Sequence, residues 1–377
     1  MTIQQLEALW RCPACAGALG VMVFREEARG VVAGCLRCRC GQAYPIIDGI
    51  PRFFRETGEG HAEFAAAYRQ QLRECGIQPA TTGTRSPQDR LQERTRESFG
   101  FQWTCFGEMV CDFEENFLHY LQPLPPEFFR NKRGLDAGCG FGRHLYNAAK
   151  LGAEMVGIDL SDAIDVSARN TSHLPNVTLA QADIYHLPLV PASFDFVYSI
   201  GVLHHLPDPE RAFRCLVRML KPGGTMAIWV YSKHRRLTRH LVEAVRRITT
   251  HLPHPLVKAL AWLAASVEWW GYLRPYQLVR RLPGVGPWVE RWTLPRVKVY
   301  AAYPFQVSYA DWFDRLSAPI RYYYDPEELA GWFARAGLSQ VQLSPTGNYG
   351  WRAIGVKERV PTDERAAVDT VSRATTS

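Results

Sequence analysis

A glycine-rich segment, Leu135-Asp-Ala-Gly-Cys-Gly-Phe-Gly142, lies where a short apolar run gives way to a helical pattern. Glycines at such a turn let the backbone approach a ligand closely, and the following helix offers free N–H groups. Asp159 ends the next apolar run, where a carboxylate can accept hydrogen bonds from ribose hydroxyls. The pattern predicts a cofactor site, with an ordinary strand-to-helix turn as the alternative.

Cysteines are clustered near the N-terminus, where Cys12-Pro-Ala-Cys15 and Cys35-Leu-Arg-Cys38 form two Cys-x-x-Cys pairs and Cys40 follows closely. Two such pairs at this spacing are typical of a four-cysteine zinc site, and isolated core cysteines are the alternative. A shell of four thiolates leaves no open coordination position, so we expect the zinc to be structural.

From residue 134 onward, apolar runs alternate with helical stretches, which indicates βαβ units and a parallel sheet. The predicted strands are 134–137, 155–159, 177–182, 194–200, 225–231, 338–343 and 351–357. The predicted helices between them are 143–151, 162–171, 209–220 and 326–336. The cofactor motif and Asp159 therefore follow the carboxyl ends of neighbouring strands, where such sheets bind ligands.

The glycine-rich segment closely resembles the first motif of class I S-adenosylmethionine-dependent methyltransferases, Asp-x-Gly-x-Gly-x-Gly, rather than the Gly-x-Gly-x-x-Gly of dinucleotide-binding domains. The resemblance continues in order through 156–161, 181–188, 194–206 and 220–224. Five ordered motifs are far more specific than one, and a nicotinamide-cofactor enzyme is the alternative. The resemblance implies an α/β fold with a doubly wound, seven-stranded Rossmann-like sheet.

The same resemblance implies roles for single residues. Asp136 and Gly138 would contact the methionine part of S-adenosylmethionine, Asp159 its ribose, and the segment 182–184 its adenine. The complete predicted set of cofactor-binding residues is Asp136, Gly138, Gly140, Gly142, Asp159, Leu160, Ala182, Asp183, Ile184 and Ile200.

His205 is the histidine that this family carries in the loop beneath the sulfonium, and it is the candidate catalytic residue. It could serve as a general base, or it could hold the loop through a backbone hydrogen bond. Because a sulfonium methyl group is already electrophilic, alignment and desolvation of the acceptor can suffice without a strong base.

The stretch 40–51 resembles a small zinc-ribbon family related to the activator subunit of tRNA methyltransferases. In that family the last metal ligand lies four residues before a tyrosine, which here is Tyr44. The resemblance therefore implies the ligand set Cys12, Cys15, Cys38 and Cys40, whereas spacing alone pairs Cys35 with Cys38. Bacterial fusions of this kind often carry Phe-Gly-x-x-Trp between the domains, and Ser98-Phe-Gly-Phe-Gln-Trp103 is predicted to pack across the cofactor site.

The chain divides into six predicted parts. They are a zinc ribbon at 8–55, a linker with helices at 56–98, a cofactor-binding core at 99–231, a helical aromatic and basic lid at 232–322, the end of the core at 323–358 and a disordered tail at 359–377.

The predicted lid carries the net positive charge of the chain, with 15 Lys and Arg against five Asp and Glu, and it contains six tryptophans. Leu256, Leu260, Leu263, Val267 and Trp270 follow helical spacing, which predicts one apolar helix face packed on the sheet. Aromatic and basic side chains together suit a lipophilic or anionic small molecule, an anionic membrane surface, or RNA.

We therefore predict methyl transfer to an O, N or C nucleophile of a small, lipophilic or anionic acceptor, with peripheral contact to an anionic membrane. A tRNA or RNA methyltransferase ranks second, and a non-catalytic zinc-ribbon scaffold third because the cofactor motif is intact. Residues 1–10 show no secretory signal, and Lys258 and Glu268 interrupt the most apolar helical stretch. We expect a reduced, cytoplasmic protein that contacts the inner membrane surface.

Overall fold

The computed structural model of the chain describes residues 1–28, 30–54, 56–57, 61–79, 87–234, 236–347 and 349–359. The predicted disordered tail, apart from residue 359, lies outside the described residues.

An antiparallel sheet of four strands follows the first helix. The elements are α1 (Ile3–Leu9), β1 (Leu19–Glu27), β2 (Gly30–Cys38), β3 (Ala43–Ile47) and β4 (Ile50–Pro51). Thr2 and Gln5 form a capping box at the start of α1. Asp48 and Gly49 join β3 to β4 with φ angles of 52° and 78°, as a tight two-residue hairpin turn requires.

Short elements connect this ribbon to the main domain. They are β5 (Glu56–Thr57), α2 (Ala62–Ala67), α3 (Arg69–Cys75), β6 (Gln78–Pro79) and α4 (Pro87–Phe106), with β5 paired to β6. The helix α4 runs across the boundary predicted between the linker and the core at 98–99. The Phe-Gly-x-x-Trp segment is therefore part of a continuous helix rather than the start of a domain.

The main sheet has seven strands flanked by helices. Its first elements are α5 (Glu114–Leu121), β7 (Arg133–Ala137), α6 (Arg143–Lys150), β8 (Glu154–Asp159), α7 (Ala163–Thr171), β9 (Val177–Gln181), β10 (Phe194–Ile200), α8 (Pro209–Val217) and β11 (Leu220–Tyr231). After the insert, α15 (Pro326–Arg335), β12 (Leu338–Thr346) and β13 (Gly350–Lys357) complete it.

The strand order is β12-β13-β11-β10-β7-β8-β9, and only β13 runs antiparallel to its neighbours β11 and β12. The predicted doubly wound, seven-stranded fold is thereby confirmed. Chain order reverses between β7 and β10, and a crevice opens beyond the carboxyl ends of the strands at such a switch point. The central strands are buried on both faces, as in a parallel sheet covered by helices.

The insert between β11 and α15 consists mainly of helices in its described part. Its elements are α9 (Arg236–Thr249), α10 (His254–Glu268), a π-helical turn (Trp269–Leu273), α11 (Arg274–Val279), α12 (Gly286–Trp292), α13 (Pro295–Ala301) and α14 (Phe305–Ser317). Glu268 is buried at the centre, where it accepts hydrogen bonds from Trp312 (2.7 Å) and Tyr272 (2.6 Å) and pairs with Arg296 (2.8 Å).

The apolar stripe on α10 was predicted to pack on the sheet, and that prediction is wrong. Val257 and Ala261 make the buried contact with α14, while all five stripe residues are exposed. The reason is that α10 is apolar on both faces. The helical spacing therefore identified an apolar face, but it could not show which of the two faces is buried. Among the described residues, no helix is both long and apolar enough to cross a bilayer.

The ribbon is joined to the main sheet at the edge strand β9. Arg52 pairs with Gln181 in a parallel bridge, and the Phe53 N–H donates to the Gln181 carbonyl at 2.9 Å. The buried Arg52 guanidinium forms an ion pair with Asp165 on α7 and donates to Oε1 of Gln181 at 3.0 Å. Trp10, fully buried, forms a second bridge to Leu189.

We expect Arg52→Ala to lower the free energy of unfolding by about 1.5–3 kcal/mol, because it removes charged hydrogen bonds from a buried junction. Urea unfolding followed by circular dichroism measures this change. Arg25→Ala is the matched control, since its ion pair with Glu27 is exposed and its loss should cost less than about 1 kcal/mol. Equal stabilities of the two variants would contradict a stabilising role for the junction.

Candidate functional site

A cavity opens at the switch point between β7 and β10. Its walls come from the turns after β7, β8, β9 and β10, and α4 covers it. A cavity at the carboxyl ends of parallel strands, at such a switch point, is a typical ligand site.

The glycine-rich turn forms the floor of the cavity. Gly138 has a φ of +83°, and a β-carbon there would lie 2.4 Å from Val202 in the loop after β10. Gly142 has a φ of +87°, and a β-carbon there would lie 2.5 Å from Ser167 on α7. Both positions need glycine because the backbone is left-handed and a neighbouring segment approaches closely.

Asp159, at the end of β8, holds this turn in place. Its carboxylate accepts hydrogen bonds from the N–H of Gly140 (2.9 Å), the N–H of Ser161 (2.8 Å) and the Ser161 hydroxyl (2.6 Å). Burial raises the pKa of this carboxyl group, although the three donors oppose that effect. Asp159 also lines the cavity, so it can meet a ligand while it fixes the turn.

The segment after β9 forms one side wall with Ala182, Asp183 and Ile184. The Asp183 carboxylate accepts a hydrogen bond from the N–H of Tyr185 at 3.0 Å and pairs with His186 at 3.0 Å. The wall is therefore apolar apart from one oriented carboxylate, which suits a flat ring that carries an amino group.

The structure brings eight of the ten predicted cofactor residues to the cavity wall. They are Gly138, Gly140, Asp159, Leu160, Ala182, Asp183, Ile184 and Ile200. Asp136 and Gly142 lie outside that lining, and Gly142 closes the turn against α7. Asp136 is buried, which raises its pKa to about 8, and its Oδ2 atom has no hydrogen-bond partner among the described residues.

One face of α4 forms the cover of the cavity with Thr95, Arg96, Phe99 and Trp103. The prediction that the Phe-Gly-x-x-Trp segment packs across the site is confirmed, and Trp103 lies directly over Gly140. Sequence reasoning missed Thr95 and Arg96. Helical spacing back from Phe99 and Trp103 would have found them, since residues three, four and seven apart share a face.

His205 lies at the inner end of the cavity, edge-on to the Phe99 ring at 4.9 Å. Its Nδ1–H donates to the Ile320 carbonyl at 2.6 Å, and its Nε2 lies 3.8 Å from Oδ1 of Asp314. Burial lowers the pKa of His205 to about 4, so the imidazole is neutral at pH 7. Its hydrogen bond ties the loop after β10 to the last part of the insert.

Asp314 and its partners connect the insert to this loop. The Tyr231 hydroxyl donates to Oδ2 of Asp314 at 2.8 Å, and Arg321 lies 3.4 Å from the same oxygen. Burial alone would raise the pKa of Asp314, but Arg321 and His205 lower it below its usual range. The carboxylate is thus charged and held beside the histidine.

The four predicted metal ligands form a second site in the ribbon. The Sγ atoms of Cys12, Cys15, Cys38 and Cys40 all lie within 4.8 Å of one another. Cys35 lies instead in the apolar cluster with Cys75, because side chains three apart on β2 point to opposite faces. The structure therefore places Cys40, rather than Cys35, in the cluster with Cys12, Cys15 and Cys38.

Residues 135–228, which include the glycine turn and Asp159, match a protein family described as a methyltransferase domain. An uncharacterized protein of a Synechococcus strain is 36% identical over 120 residues, which cover 30% of this chain and 29% of that protein. A ubiquinone biosynthesis O-methyltransferase of Methylococcus capsulatus is 32% identical over 143 residues, which cover 36% of this chain and 60% of the relative. The chain thus spans less than two thirds of the length of either relative.

Among solved structures, a Haemonchus contortus phosphoethanolamine N-methyltransferase in complex with S-adenosyl-L-methionine is 16% identical to this chain. The match has a TM-score of 0.43 and covers 75% of this chain and 62% of that one.

We expect the stability of the protein to fall as the pH decreases from 6.5 to 4, in part because only the unfolded state protonates His205 there. In His205→Asn the slope of unfolding free energy against pH should be smaller by up to about 1.4 kcal/mol per pH unit. The asparagine amide keeps the donor to the Ile320 carbonyl. Urea unfolding at several pH values measures the slope, and an unchanged slope would contradict burial of a neutral His205.

Proposed function

We propose that the protein transfers a methyl group from S-adenosylmethionine to a small acceptor. Eight of the predicted cofactor-binding residues line one cavity at the switch point, and this observation is the main support for the proposal. A nicotinamide dinucleotide is disfavoured by the order of glycines in the turn after β7, and a non-catalytic scaffold by the complete cavity.

The cavity fits the chemistry of this cofactor part by part. The Asp159 carboxylate can accept hydrogen bonds from ribose hydroxyls, and Asp183 can accept one from the adenine amine. Leu160, Ala182 and Ile184 supply apolar walls for the adenine ring. The methionine part would then extend over the glycine turn toward His205, below Trp103.

S-adenosylmethionine supplies an electrophilic methyl group when bound. The residues of this chain have to exclude water and align the acceptor, which can lower the barrier by several kcal/mol. Phe99, Val202 and Leu206 make the wall beside His205 apolar. The neutral Nε2 of His205 could take a proton from an acceptor, although its neighbour Asp314 and its bond to Ile320 favour a positioning role.

Two features bear on the acceptor class. The cavity wall beside His205 is apolar, and the insert is rich in aromatic side chains, although none of its described residues lines the cavity. Both features favour a small lipophilic or anionic acceptor over RNA, and the name of the Methylococcus relative points to a small molecule for that protein. We include peripheral contact with an anionic membrane in this proposal. RNA methylation is the second candidate, supported by the positive charge of the insert.

For the ribbon we propose one structural zinc ion bound by Cys12, Cys15, Cys38 and Cys40. The four sulfur atoms are close enough to share one tetrahedral ion. With four thiolates as ligands, the ion would stabilise the ribbon and would have no position open to substrate.

Calorimetry with S-adenosylhomocysteine should show a dissociation constant in the micromolar range, which corresponds to a binding free energy of about −8 kcal/mol. Asp159→Ala should weaken binding about 10-fold or more, because a charged hydrogen bond contributes about 1.5–3 kcal/mol. Asp112→Ala, at an exposed carboxylate outside the cavity, is the control. Binding of a nicotinamide dinucleotide without measurable affinity for S-adenosylhomocysteine would overturn the proposal.

Elemental analysis should find one zinc per chain, and Cys40→Ser should lose it together with structure in the ribbon, because metal binding is coupled to folding. Cys105→Ser, at an exposed cysteine on α4, should keep the zinc. Full zinc content in Cys40→Ser would show that the ligand set is wrong.

A further inference from the structure

Large apolar side chains are exposed mainly in one part of the molecule. Among the described residues, all but Ile3, Val23 and Tyr322 lie between residues 245 and 299 of the insert. We call this set the insert face, and it comprises Val245, Ile248, Leu256, Leu260, Trp262, Leu263, Val267, Trp270, Tyr272, Leu278, Leu282, Val285, Trp288, Trp292, Leu294 and Val299.

The insert face is not a by-product of loose packing. On α10, small buried residues such as Ala261 and Ala265 make the inner contact, while the large residues point outward. Three tryptophans, Trp270, Trp288 and Trp292, are 65–69% exposed. A helix on a protein surface in water has the opposite arrangement, and a concentration of exposed apolar side chains marks an interaction site.

Positive charge accompanies the insert face. Arg247, Arg274, Arg280, Arg281 and Arg291 are exposed, and none of them forms an ion pair with another described residue. Between residues 245 and 299 there are two acids, of which Glu268 is buried and only Glu290 is exposed. The face is thus apolar and cationic, with almost no compensating negative charge.

We propose that the insert face docks on an anionic lipid bilayer. Leucine, valine and tryptophan side chains gain free energy at the acyl boundary, and arginine reaches anionic headgroups from the same surface. The proposal extends the proposed function, because it names a lipid bilayer as the source of a lipophilic acceptor. It rests on the methyltransferase function only for the reason why the protein would dock there.

Two other occupants fit the charge and composition less well. A second copy of the chain would place five exposed arginines against five others with one exposed acid on each side, and such like-charge contacts are unfavourable. RNA would use the arginines and some tryptophans, but it would leave the exposed leucines and valines without a partner, because bases stack on aromatic rings.

The docking surface is connected to the cofactor cavity through α4. The Arg94 guanidinium donates to the Thr250 carbonyl at 2.7 Å, and the Phe101 ring stacks on His254 at 5.1 Å. Since Thr95, Arg96, Phe99 and Trp103 of the same helix line the cavity, α4 contacts both the insert and the cavity.

The test is sedimentation of the full chain with vesicles. Vesicles of equal parts phosphatidylcholine and phosphatidylglycerol should pellet the protein, phosphatidylcholine alone should not, and high salt should release it. Arg280→Ala with Arg281→Ala should weaken binding about 30-fold, at about 1 kcal/mol for each arginine. Arg246 is unsuitable for this test, because it is buried and donates to the Ala318 carbonyl at 2.6 Å.

A second variant tests the apolar part of the face. Trp288→Ser with Trp292→Ser should weaken vesicle binding more than about 10-fold, because each ring loses its burial at the acyl boundary. The matched controls are Ile3→Ser with Val23→Ser, and Arg25→Ala with Arg73→Ala, which change exposed residues outside the insert. These controls should bind vesicles like the unaltered chain.

Three outcomes would overturn the proposal. The first is that the protein does not pellet with anionic vesicles. The second is that light scattering shows a dimer, and that the variant Trp288→Ser with Trp292→Ser is a monomer. The third is that a modest excess of tRNA displaces the protein from the vesicles. Calorimetry with S-adenosylhomocysteine on every variant separates the two proposals. Vesicle binding without cofactor binding would refute the methyltransferase proposal alone, and the reverse would refute docking alone.

Discussion

The cavity at the switch point depends on the hydrogen bonds that the Asp159 carboxylate accepts. Its two oxygens accept hydrogen bonds from the glycine turn after β7 and from the first residues after β8, so one buried group fixes two adjacent loops. Removal of a buried acceptor leaves its donors unsatisfied. The position of the glycine turn therefore depends on this carboxylate, together with the hydrogen bonds that the N–H groups of Gly138 and Cys139 donate to the Ile158 carbonyl.

A second constraint holds the walls to the rest of the chain. The side chain of Gln181, the last residue of β9, donates to the Leu160 carbonyl at 3.2 Å and to Asp162 at 2.9 Å. Arg52 of the ribbon binds the same side chain. Because Leu160 and Ala182 line the cavity on either side of this network, the ribbon supports the cofactor site and is not an independent appendage.

Much of the fold could be predicted from the sequence because its strands are short apolar runs separated by helical stretches. The residues of the cavity wall were also predictable, since most of them end those runs or directly follow them. The orientation of α10 could not be predicted, because a helix that is apolar on both faces has no unique buried side. Nor could the pairing of Arg52 with Asp165, which lie 113 residues apart and have no local pattern in common.

The junction between the ribbon and β9 also bears on how the protein avoids aggregation. An uncovered edge strand presents unpaired N–H and C=O groups that can recruit a strand of another molecule. Here Arg52 and Phe53 occupy the carboxyl end of that edge, and the Arg52 side chain is buried beside it. A chain that lost the order of its ribbon would therefore lose more than the proposed metal site, because it would uncover a template for misassembly during synthesis and refolding.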